Sequence, residues 1–110
     1  MPSPVRIDQL ISGANNVLIL PYNSVYTGVV TVASAGTAVV LGVSTAIKSI
    51  TIKAVGTNAG LIYVGTSAVT SSNGFQLGAK DSISIDVSNL ATIYINSQNN
   101  SEGISYIALS

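Results

Sequence analysis

Ser49-Ile50-Thr51-Ile52-Lys53-Ala54 decides the fold. Apolar and polar residues alternate strictly, so one face of an extended strand carries the isoleucines and the other carries Ser, Thr and Lys. The same alternation recurs in Ser82-Ile83-Ser84-Ile85-Asp86-Val87 and in Thr92-Ile93-Tyr94-Ile95-Asn96, where Tyr94 falls off the Ile-bearing face. These are half-buried antiparallel strands, isoleucine inward and hydroxyl or charge outward. Further β-rich runs lie at 16–20, 25–33, 37–41, 61–64, 75–77 and 104–109, giving eight or nine short strands.

Turn chemistry separates the runs. Gly56-Thr57-Asn58-Ala59-Gly60 reads as a hairpin loop, Asn73-Gly74 as a turn, and Gly78-Ala79-Lys80-Asp81 as a tight turn shaped by Asp81. Ser97 to Gly103 forms a polar loop before the last strand. No long segment has a helical period; residues 6–12, with Ile7, Leu10 and Ile11 at helical spacing, offer at most a short turn. Many short strands at this spacing predict an all-β fold: a single antiparallel β-sandwich, jelly-roll-like, with an extended N-terminal arm. Residues 1–24 hold all three prolines and read as that arm plus a first edge strand; residues 25–110 read as the sandwich.

Composition narrows function by exclusion. The 110 residues include four Lys+Arg and four Asp+Glu, a net charge of zero, and no His, Cys or Trp. The absent side chains leave no imidazole acid/base chemistry, no thiol nucleophile and no zinc, copper or haem site of the usual kind. Four basic residues do not neutralise a row of phosphates, so no nucleic-acid partner is expected. No 18-residue apolar run is present, so no membrane partner is expected, and Met1-Pro2-Ser3-Pro4-Val5-Arg6 is not the start of a signal peptide. Only 7% of residues are charged, against about 25% in typical domains. A neutral chain of this kind tends to self-associate.

Individual residues give no catalytic constellation. Asp81 and Asp86 do not converge as paired acid and base, and Asp86 reads as an outward strand position. Asn99-Asn100-Ser101-Glu102 supplies oxygens but only one carboxylate, so it reads as a structural loop. The Gly-containing stretches lack the Lys and context of a phosphate loop. No cofactor and no metal are expected. Lys48, Lys53 and Lys80 read as edge charges against strand aggregation. Tyr63 and Tyr94, off the isoleucine face, are candidates for a subunit boundary. The doublets Val29-Val30 and Val39-Val40 put apolar groups on both faces of their strands, more than one sandwich interior absorbs.

The stretches at 49–54, 58–65, 71–77 and 81–87, with Asn89-Leu90, Ile93-Tyr94-Ile95 and Gly103-Ile104-Ser105-Tyr106, resemble small β-sandwich virion proteins of tailed bacterial viruses, the capsid decoration and auxiliary type. The bias toward Ile, Tyr, Ser, Thr and Asn is also similar to structural proteins of archaeal viruses. The resemblance spans residues 36–109 and leaves 1–23 uncovered. It implies a non-enzymatic virion subunit, assembled in the host cytoplasm, whose partners are itself, as a homo-oligomer with a trimer foremost, and a major capsid or other virion protein. Val5, Ile7, Leu10 and Ile11 would then dock the arm. Two alternatives stay open: a glycan- or receptor-binding module acting through loops 66–73 and 97–103, and a strand-exchanging filament or surface-layer subunit.

Overall fold

The computed structural model describes residues 24–110. Eight strands follow in order: β1 (Val25–Val32), β2 (Val39–Val40), β3 (Ser49–Ala54), β4 (Ile62–Gly65), β5 (Phe75–Leu77), β6 (Ser82–Ile85), β7 (Tyr94–Ser97) and β8 (Glu102–Leu109). A single 3-10 turn, Leu90–Thr92, precedes β7. The strands form two four-stranded antiparallel sheets, ordered β1-β8-β3-β6 and β2-β7-β4-β5. The expected arm, the run at 16–20, the turn at 6–12, and Val5, Ile7, Leu10 and Ile11 lie outside the described residues.

The pairings follow one rule. First pairs with last, β1 with β8; then β2 with β7, β3 with β6 and β4 with β5. The described chain is therefore a long hairpin, closed at β4–β5, whose double ladder folds over on itself into two sheets. That is the topology of an eight-stranded jelly roll, as the strand spacing predicts. Register makes the isoleucine pattern legible. Ile50 opposes both Ala108 and Ile85, and Ile52 opposes both Tyr106 and Ile83. Opposed residues share a face, so the alternating sets converge on one interior.

That interior is dry and aliphatic. Val32, Ile50, Ile52, Leu77, Ile62, Ile95 and Ile104 are almost wholly buried, and Leu41, Ile47, Leu90 and Ile93 extend the same cluster toward the loops. Burying each large side chain is worth about 1.5–3 kcal/mol. Gly103 in β8 is glycine for steric reasons: a Cβ there would collide with the Val30 carbonyl of the neighbouring strand.

The run at 37–41 contributes a ladder of only Val39 and Val40. Thr37 is bound in a turn, its N–H donating to the Ser34 carbonyl at 3.1 Å. Lys53 is not an edge charge: β3 lies inside its sheet, between β8 and β6, and Lys53 projects from the outer face. The valine doublets divide between faces as expected. Val30 packs against the core, whereas Val29 is 72% exposed.

Candidate functional site

Three features of the surface bear on function: a cleft on the outer face of the β2-β7-β4-β5 sheet, a clasp of loops at one end, and a hydroxyl-rich outer face on the β1-β8-β3-β6 sheet that exposes Val25, Val29 and Ile107.

The cleft is built on Asn96. Alternation in β7 sends Ile95 into the core and Asn96 to the outer face, next to Tyr63 of β4. An outward Asn would ordinarily be solvated; this one is 2% exposed, because the β4–β5 loop folds back over it. Its Nδ2 donates to the Val69 carbonyl at 3.0 Å, and its Oδ1 accepts from the N–H groups of Gly36 at 2.9 Å and Ser97 at 2.8 Å. One amide thus fixes the β1–β2 loop, the β4–β5 loop and β7 to each other. Asn73 holds the returning loop in shape, its Oδ1 accepting from the Thr70 N–H at 2.8 Å.

Tyr63 stands off the isoleucine face, as its spacing predicts. It does not reach a free surface: it is 5% exposed beneath the same loop, buried beside Val69. Gly74 makes that possible, since a Cβ there would strike the Tyr63 Cβ. The ring is therefore covered within the chain itself. Tyr94 is half-buried on the same outer face, opposite Val40 and Gly65. Between the loops lies a cleft of about 530 Å³ lined by Gly36, Tyr63, Thr70, Ser71, Ser97 and Gln98, among others. Its lining is uncharged and rich in hydroxyls and amides, and no described residue bonds to the Tyr63 hydroxyl.

The clasp is made by side chains standing in for backbone partners. Asn58 Nδ2 donates to the Gly103 carbonyl at 2.8 Å, and Gln98 Oε1 accepts from the Leu61 N–H at 3.0 Å. Glu102 accepts from the N–H groups of Ala59 at 2.7 Å and Gly60 at 3.0 Å. The Ala59 N–H is the main reason its carboxyl is held below the ordinary value; desolvation opposes the shift, and Gly60 and the Asn99 side chain reinforce it. The loop read from Asn99-Asn100-Ser101-Glu102 is thus a structural brace: Asn100 Oδ1 also accepts from the Ala35 N–H at 2.8 Å. Asp81 shapes its turn as expected, accepting from the Gly78 N–H at 3.0 Å. Among the described residues no group of three or more His, Cys, Asp or Glu is placed to hold a metal, and no helix is long and apolar enough to cross a membrane.

The third feature is the outer face of the β1-β8-β3-β6 sheet. Val25 and Val29 of β1 and Ile107 of β8 are 61%, 72% and 46% exposed. Around them alternation places Thr27, Thr31, Ser105, Thr51, Ser49, Ser82 and Ser84, with Lys53 the single charge among the strand residues of this face.

Comparison with known protein families, with curated proteins and with solved structures finds no match to this chain.

Proposed function

We propose that this protein is a non-enzymatic structural subunit of a virion, a capsid decoration or auxiliary protein that works by associating with itself and docking on a larger shell. The observation that carries the self-association is the outer face just described: Val25, Val29 and Ile107 exposed on a sheet whose outward side chains include one charge. Exposed apolar groups gathered on one face are the mark of a contact surface. The virion assignment rests on the resemblance of residues 36–109, since jelly rolls serve viral shells and sugar-binding proteins alike and fold alone does not choose.

Light scattering on the purified full chain tests the first half: a stable homo-oligomer at micromolar concentration is expected, and a clean monomer would overturn it. Removing residues 1–12 should leave the sandwich folded and abolish attachment to the shell. Mass spectrometry of purified virions from the source tests the second half, and absence of the chain from them would remove the virion role.

A second reading, a binding module for neutral glycans, is favoured by one observation. The loops at 66–73 and 97–103, distant in sequence, meet across the uncharged cleft beside Asn96. Sugar hydroxyls match a lining of Thr70, Ser71, Ser97 and Gln98 better than a charged ligand does. Retention on a glycan array that is lost in Gln98→Ala would support this reading; a blank array would dismiss it.

A further inference from the structure

Among the described residues, the four edges of the two sheets are unequal. At three of them stand β2, with two residues, β5, with three, and β6, with four. Short edges of this kind offer little to a partner. The fourth edge is β1, eight residues long, Val25-Tyr26-Thr27-Gly28-Val29-Val30-Thr31-Val32, with no charge and no proline. It has none of the charges, prolines or shortness by which natural edges are blunted.

The ladder shows which backbone groups that edge presents. Ser24 and Ser110 exchange both hydrogen bonds, at 3.4 and 3.0 Å. Antiparallel pairs alternate between bonded and non-bonded. Tyr26, Gly28, Val30 and Val32 therefore spend their N–H and C=O groups on β8, and those of Val25, Thr27, Val29 and Thr31 point away from it. The same four side chains stand on the outer face of the sheet.

We infer that β1 pairs antiparallel with β1 of a second copy about a two-fold axis at Gly28, joining two four-stranded sheets into one. This rests on the self-association proposed above and names its contact. The occupant follows from the chemistry: a backbone edge unpaired among the described strands is satisfied by another extended strand, and an uncharged β1 on a chain of zero net charge meets no repulsion from its own copy. The register follows too. Only outward-facing residues bond across the new ladder, so Val25 pairs with Thr31 of the second copy and Thr27 with Val29, and the reverse. This is the one register in which all four residues of both strands are used. Shifting it by one pair either way leaves an outward residue of each strand unbonded. Gly28 then faces Gly28, and the exposed Tyr26 lies across from Val30. A two-fold contact joins copies in pairs, so a trimer of the expected kind would use it between trimers and not within one.

The test uses the full chain. Val29→Pro removes an outward N–H while leaving the bonds to β8, and Val29→Lys places a charge on the edge. Wild type is expected to scatter as an oligomer, and both variants to show half its mass with an unchanged circular dichroism spectrum. Variants that keep the wild-type mass overturn this contact while leaving self-association standing. A monomeric wild type overturns both. Should the variants misfold, amide exchange in the wild type decides. The N–H groups of Val25, Thr27, Val29 and Thr31 should slow at least about tenfold from dilute to concentrated protein; exchange independent of concentration overturns the pairing.

Discussion

Asn96 shows how much one side chain organises here. It sits where alternation assigns a solvated polar group, and it is instead the buried joint among three segments. Truncating a partner of buried hydrogen bonds costs more than the bonds are worth, because the groups left behind stay desolvated. Asn96→Ala is expected to lower stability by about 1–3 kcal/mol, read from urea unfolding, and to loosen the β4–β5 loop over Tyr63. Asn96→Asp should do worse than a conservative change suggests. It brings a charge to a 2% exposed site and loses the donor that the Val69 carbonyl needs. Wild-type stability in the alanine variant would mean that solvent replaces the amide.

At the scale of elements, the strands were the legible part. Ile50, Ile52, Ile83, Ile85, Ile93 and Ile95 announce their faces by spacing alone, and the run at 75–77 coincides with β5. Pairing partners were not legible, because period-two patterns specify a face and not a neighbour; residues 56–60, read as a hairpin loop, in fact cross from β3 in one sheet to β4 in the other. That is why Lys53 reads as an edge charge although β3 lies between two strands. The cleft was illegible for a related reason. Tyr63 and Asn96 occupy outward positions, and only the return of the β4–β5 loop, a tertiary event, buries them. The one available signal was Asn73-Gly74, a turn strong enough to send that loop back. The difference between an interior and an edge strand gives a sharp expectation. Proline at Ser105 removes an N–H from β8, which serves β1 on one side and β3 on the other, so Ser105→Pro should leave no cooperative thermal transition. Proline at Val29 in β1 should leave a transition in place.

For the molecule as a whole, scarcity of charge limits the ways in which pH can act. Glu102 is the described group with a clear shift, downward, caused first by the Ala59 N–H. A carboxyl with a lowered folded-state pKa binds protons more readily when unfolded. Its contribution is therefore fully present above the unfolded value, near 4.5, and is lost as pH falls through the lower folded value. Urea midpoints should decline as the solution is acidified below about 4.5, and Glu102→Gln should flatten that decline. The loss begins at the clasp that ties Ala59 and Gly60 to the start of β8, so amide exchange at Ala59 should quicken first. An unchanged acid slope in the glutamine variant would place the sensitivity elsewhere.

The pairing of first strand with last has a consequence in time. A ribosome releases β1 long before β8, and β8 is the strand that separates β1 from β3. Until it arrives, β1 has no partner among the described strands and its sheet lacks its middle. Local hairpins close quickly, whereas pairings between distant segments wait for the chain to bring them together. The β4–β5 hairpin has its partners early; the strand with the longest open edge is the one that waits. During that interval nascent copies on neighbouring ribosomes expose the same uncharged eight-residue strand to each other. A cell that makes this protein in quantity therefore meets its greatest risk of misassembly at the moment each chain is nearly finished.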